Sequence, residues 1–172
     1  MGRKITSPVW AAHARALRRR GASAVKVLIV DDEPAILSFV ERVLQEAGYA
    51  TVTASDGEQA LAIWSVAGPF SLLLTDFAMP RMNGDELVRR IRLRAPDLKV
   101  LYLTGFSDQL FDAKTHMWEG EAFLEKPPSI NGLLEAVSMA LFGRLLPEPV
   151  ERLSLLRRWQ SFVDVRDTAA DR

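Results

Sequence analysis

From Val25 onward, short apolar runs alternate with stretches whose apolar residues recur every third or fourth position, and the alternation repeats five times. VKVLIV (25–30) suits a strand buried on both faces. Pro34 stands where a first helical turn tolerates proline, and Ile36, Leu37, Val40, Val43, Leu44 and Ala47 keep helical spacing up to Gly48. YATVTA (49–54) predicts a second, less apolar strand. Asp56 with Gln59 resembles a capping box, opening a helix through Ala60, Leu61 and Trp64 that ends at Gly68-Pro69. SLLLT (71–75), DLKVLYL (97–103) and EAFLE (121–125) predict three more strands. Helices are expected from about Gly84 to Ala95, more weakly from Asp108 to Trp118, and from a Ser129 cap through Leu133, Leu134, Val137 and Leu141 to Gly143.

Such alternation predicts an α/β fold: an open, doubly wound sheet of five parallel strands with right-handed crossovers and helices on both faces. Ligands in such sheets bind at the carboxyl ends of the strands. Polar residues collect there: Asp31-Asp32-Glu33 after the first strand, Asp76 after the third, Thr104 after the fourth and Lys126 after the fifth.

Bulk properties refine this picture. The 172 residues, 48% hydrophobic and 26% charged, suit one compact domain with short extensions. The divisions expected are a basic, helical segment 1–24, the domain 25–143, and a linker with an amphipathic helix over 144–172. Cysteine is absent, which excludes disulfides, thiolate metal sites and catalytic thiols. No apolar run approaches the roughly 20 residues that cross a bilayer, and the start has no apolar signal block, so a soluble, cytoplasmic protein is expected. The formal net charge of zero hides an asymmetry: residues 1–26 carry seven basic and no acidic side chains, and residues 27–142 carry nine basic against seventeen acidic, a net −8. A domain that acidic repels nucleic acid, which makes DNA an unlikely partner of it.

Three carboxylates, Asp31, Asp32 and Asp76, converging at neighbouring strand ends repel one another unless a hard cation bridges them. Magnesium suits such oxygen ligands, being typically held by one or two carboxylates together with phosphate oxygens. Lys126 and Thr104 supply a positive charge and a hydroxyl donor for further phosphoryl oxygens. Each feature alone has an ordinary structural reading: a helix cap for Asp-Asp, a turn for Asp76, a solvated loop for Lys126-Pro127. Their joint placement at successive strand ends is what points to a phosphoacceptor.

The stretches VLIVDDEP (27–34), LLLTDFAMPRMNGDEL (72–87), LYLTG (101–105) and AFLEKP (122–127) resemble, in order and spacing, the four sequence blocks of the receiver domains of two-component response regulators. The resemblance covers about Val25 to Phe142 and implies the flavodoxin-like strand order 2-1-3-4-5. It also implies that Asp76 is the nucleophile that takes a phosphoryl group, and a magnesium ligand. Asp32 is then the direct metal ligand of the acidic pair, Asp31 acts through a metal-bound water, and the backbone carbonyl of Ala78 completes the protein ligands; Mn2+ is a possible substitute. Lys126 pairs with the phosphoryl group, with a cis bond to Pro127. Thr104 and Phe123 form the switch, which alters the face spanning residues 107–142. Phe123 also fits a plain core position. A sensor histidine kinase or phosphotransfer protein is the implied donor, and an unidentified protein the target. The resemblance assigns Glu33 no role.

His13 and His116 lie far from the acidic residues and read as surface positions. Met79 and Met82 read as packing. Ala78 and Phe106 stand where the family tunes hydrolysis of the acyl phosphate, and neither can act as a base, so slow self-dephosphorylation is expected. The segment 1–24 suits an anionic surface, a nucleic acid, a partner or mere solvation. Val150, Leu153, Leu156, Trp159 and Val163 form an apolar stripe that could cover this domain, pair with a second copy in a homodimer, or receive a target. The favoured reading is a response regulator acting through protein contacts, with no separate enzymatic output. A phosphorylation-independent interaction module of the same fold is the alternative, and a phosphatase with an aspartyl nucleophile comes third, since no second carboxylate is placed to protonate a leaving group.

Overall fold

The computed structural model describes residues 25–105 and 120–143, which form one five-stranded parallel sheet in the order β2-β1-β3-β4-β5. The strands are β1 (Lys26–Val30), β2 (Ala50–Ala54), β3 (Leu72–Asp76), β4 (Lys99–Thr104) and β5 (Glu121–Glu125). Four described helices accompany them: α1 (Pro34–Glu46), α2 (Gly57–Ala67), α3 (Gly84–Arg92) and α4 (Ile130–Phe142). The doubly wound architecture and the strand order expected from the sequence are both present. The expected helix 108–118, the terminal segments 1–24 and 144–172, His13, His116 and Phe106 lie outside the described residues.

Side chains alternate across the sheet because successive strand residues face opposite ways. Val27, Ile29, Leu72, Leu74, Leu101 and Leu103 join Val40, Val43 and Leu44 of α1 and Leu133, Leu134, Val137 and Leu141 of α4 in one core. Leu28, Val30, Leu73, Val100 and Tyr102 join Ala60 of α2 and Leu87, Val88 and Ile91 of α3 in the other. Each fully buried leucine contributes about 1.5–3 kcal/mol relative to exposure, so the central strands are fixed in register by two cores at once. Met79 and Met82 are buried in the second core, and a Cβ on Gly57 would meet the sulfur of Met82 at 2.6 Å.

Local chemistry sets the helix ends. Asp56 Oδ1 accepts from the backbone N–H of Gln59 at 2.8 Å, but the return bond runs from the Ser55 N–H to Gln59 Oε1, one residue earlier than a capping box requires. Asn83 and Ser129 cap α3 and α4, accepting from Glu86 N–H at 2.8 Å and Gly132 N–H at 3.0 Å. α4 ends at Gly143, whose φ of 64° is the left-handed C-cap geometry. α3 ends at Arg92 instead of continuing to Ala95: the N–H groups of Arg94 and Ala95 both turn back onto the Ile91 carbonyl. Tyr49 stands just before β2, its N–H bonded to the Leu44 carbonyl. Among the described residues, no helix is long and apolar enough to cross a membrane.

Candidate functional site

Register brings the polar residues to one edge. Val30 of β1 pairs with Thr75 of β3, so Asp31, the next residue, stands beside Asp76, the last residue of β3. Asp76 pairs with Leu103 of β4, and Thr104 pairs with Glu125 of β5, so each later strand offers its polar residue one step further on. The N–H of Lys126 donates to the Thr104 carbonyl at 2.9 Å, tying the start of the β5–α4 loop to the end of β4. The Lys126–Pro127 peptide bond is cis.

Asp31, Asp32 and Asp76 each offer an oxygen, and the three atoms lie within 4.8 Å of one another. Asp31 and Asp76 are buried and Asp32 is exposed. Lys126 Nζ sits 2.8 Å from Asp76 Oδ2, 2.8 Å from Asp31 Oδ2 and 3.0 Å from Glu33 Oε1. The contacts to Asp76 and Glu33 are hydrogen bonds. That to Asp31 Oδ2 is an ion pair without hydrogen-bond alignment, and this buried oxygen has no hydrogen-bond donor. The other oxygen of each central aspartate is held by backbone: Asp31 Oδ1 accepts from Glu33 N–H at 2.9 Å and Asp76 Oδ1 from Ala78 N–H at 3.1 Å.

Burial pushes the Asp31 carboxyl above its ordinary range, against the opposing pull of Lys126 and the Glu33 N–H, while the charge of Asp76 adds to the rise. Burial lowers Lys126, but its close contacts with the carboxylates of Asp31, Asp76 and Glu33 outweigh that and hold it above the ordinary lysine value, firmly an ammonium. Three carboxylates thus face one cation, and a fourth, that of Asp32, lies beside Asp31 and Asp76. A buried carboxylate oxygen lacking a hydrogen-bond donor, beside two further carboxylate oxygens, fits a small hard cation.

Of the remaining candidates, Thr104 is buried at the end of β4, and Ala78 lies exposed just past Asp76. Phe123 is 41% exposed on β5, which excludes the plain core reading of it. Glu33, which the sequence left without a role, is a direct partner of Lys126, 93 residues away along the chain. Its place as the third acidic residue of the cluster was the one available signal.

Residues 27–138 match the family model described as the response regulator receiver domain. The chain belongs to that family. It is similar to the response regulator receiver protein CpdR of Brucella abortus (strain 2308), 32% identical over 118 residues, which span 69% of this chain and 98% of CpdR. It is also similar to the transcriptional regulatory protein TrcR of Mycobacterium tuberculosis (strain ATCC 25618 / H37Rv), 33% identical over 119 residues. There the match spans 69% of this chain but only 46% of TrcR. The crystal structure of response regulator protein TrrA from Thermotoga maritima, in complex with Mg2+-BeF, is 33% identical, with a TM-score of 0.60, and the match covers 67% of this chain and 98% of TrrA. As a receiver domain of the two-component type, the chain carries the fold of a signalling regulator.

Proposed function

We propose that Asp76 accepts a phosphoryl group in a magnesium-dependent reaction, and that its modification switches a protein-interaction surface. The observation that carries this reading is the shared position of the Asp76 carboxylate, 2.8 Å from the Lys126 ammonium and within 4.8 Å of oxygens of Asp31 and Asp32. One Asp76 oxygen attacks phosphorus in line, forming a P–O bond. The bond from phosphorus to the donor breaks, and its electron pair leaves with the donor group. Mg2+, or Mn2+ in its place, held by Asp76, Asp32, the Ala78 carbonyl and, through water, Asp31, would supply the positive charge that this transfer needs.

Lys126 remains an ammonium throughout and gives a charge-assisted hydrogen bond to the transferred group. Thr104, at the neighbouring strand end, donates its hydroxyl to a phosphoryl oxygen in the active state. Phe123 leaves its exposed position for an inward one, and the bias between the two arrangements is the signal. The donor is a sensor histidine kinase or a phosphotransfer protein, and the readout is a protein target, in the cytoplasm. In this reading residues 25–143 are the receiver unit, with 1–24 and 144–172 as flanking segments that serve partner contacts, including pairing with a second copy.

Incubation with Mg2+ and acetyl phosphate tests the reading. The expected product is an acid-stable, base-labile adduct of one phosphoryl group per chain, lost on chelation of the metal and in Asp76→Asn. An adduct absent with both acetyl phosphate and a cognate kinase would leave a phosphorylation-independent interaction module. Turnover of many phosphomonoesters per chain would instead indicate a phosphatase.

A further inference from the structure

The Lys126 ammonium has three N–H donors and three carboxylates around it, Asp31, Asp76 and Glu33, all within 3.0 Å. Two of those donors are bonded, to Asp76 and Glu33, and the ammonium is ion-paired with Asp31 besides, so a phosphoryl oxygen arriving on Asp76 meets a lysine crowded by carboxylates. Resting on the phosphoacceptor reading above, we propose that Glu33 is the partner that gives way: it holds Lys126 before transfer and is released to water when a phosphoryl oxygen takes its place.

The three carboxylates differ in what release would cost. The Asp31 side chain is wholly buried, and its Oδ2 has no hydrogen-bond donor, so it cannot exchange the ammonium for bulk water. Asp76 carries the incoming group and stays beside Lys126. The Glu33 side chain is 59% exposed, so its carboxylate recovers hydration as soon as the ion pair opens. When Asp76 attacks acetyl phosphate, the phosphorus–oxygen bond to acetate breaks and acetate leaves with the electron pair. The Lys126 N–H that pointed at Glu33 then points at a phosphoryl oxygen. Glu33 is thus a positioning residue acting through Lys126, and its ion pair opposes transfer to Asp76.

Two measurements on the full chain with Mg2+ test this. The first is the initial rate of adduct formation from acetyl phosphate in the wild type, Glu33→Gln, Lys126→Met and the double variant. Glu33→Gln is expected to react about two- to fivefold faster where Lys126 is present, the range an exposed ion pair commands, and to change nothing in the Lys126→Met background. An equal gain in both backgrounds would make Glu33 a mere repeller of the anionic donor and overturn the proposal, as would an unchanged or slower Glu33→Gln. The second is the 13C signal of the Glu33 carboxylate in the wild type. It should move toward that of solvated glutamate on adduct formation, and an unmoved signal overturns the proposal even if Lys126→Met fails to fold. Failure of the underlying reading looks different: the wild type forms no adduct, or the adduct survives Asp76→Asn.

Discussion

Gly84 begins α3 so close to the end of β3 that a Cβ added to it would lie 2.3 Å from the backbone oxygen of Asp76. The Gly84 N–H also donates to the Phe77 carbonyl at 2.9 Å, so the helix start is bonded to the residue that follows Asp76. Gly84→Ala gains about 1 kcal/mol of helix propensity but must push backbone aside, a rearrangement of about 1–3 kcal/mol or more. A net loss of stability in urea titration is expected, together with slower adduct formation because Asp76 is displaced. An unchanged midpoint and rate would show that the loop yields freely.

Divalent metal should stabilise the chain, because an ion held as proposed by Asp32 and Asp76, and through water by Asp31, would bind the folded state alone. At about 100 times its dissociation constant, Mg2+ should add about 2.7 kcal/mol to unfolding, reversed by chelator. Asp31→Asn and Asp32→Asn should each remove most of that gain in thermal melts. A gain that survives in both variants would locate the ion elsewhere.

Arg92 at the end of α3 reaches across to Glu121 at the start of β5, 2.6 Å away, and bonds the Leu98 carbonyl at 3.1 Å. The Glu121 side chain is wholly buried and that of Arg92 only 15% exposed. Arg92→Ala takes a closely paired cation from a buried carboxylate and should cost up to about 3–5 kcal/mol, whereas Arg92→Met with Glu121→Leu should recover much of the loss. Urea midpoints of the single and double variants decide between these outcomes.

The architecture was legible because two-sided burial writes its own pattern: VKVLIV and SLLLT are apolar throughout, and the helices between them are apolar on one side only. The caps at Asp56 and Ser129 were equally readable, since capping is chemistry within three residues. Contacts made across the fold were not readable. Glu33 reads as one more acidic residue before a helix until β5 brings Lys126 to it. Nothing in the sequence pairs Arg92 with Glu121, 29 residues on, which the fold sets 2.6 Å away. The second oxygen of Asp56 is another such case, since it pairs with Arg81, 25 residues on, at 3.1 Å.

Alkaline pH should loosen the fold in a defined way. Burial raises the phenols of Tyr49 and Tyr102 above the ordinary value of 10, and the charges of Glu121 and Asp85 push Tyr102 further, partly offset by Arg92 and Arg89. Above that ordinary value the unfolded chain loses phenolic protons that the folded chain keeps. Stability is therefore fully present below pH 10 and falls as pH rises, by up to about 1.4 kcal/mol per unit per tyrosine. Tyr102→Phe should show a shallower decline than the wild type between about pH 10.5 and 12. Parallel slopes in urea titrations would contradict this.

The gap between Asp31 and Asp76 is one step between neighbouring parallel strands, fixed by the pairing of Val30 with Thr75. Such a step is about 4.8 Å in any sheet. To widen or narrow it, β1 would have to slide along β3, and a slip of one residue would turn Leu28 and Ile29 each into the opposite core. The gauge of the site is therefore held by leucines and isoleucines that never touch a ligand. Evolution can retune such a centre cheaply at rim positions such as Glu33, while its span is inherited with the hydrophobic interior.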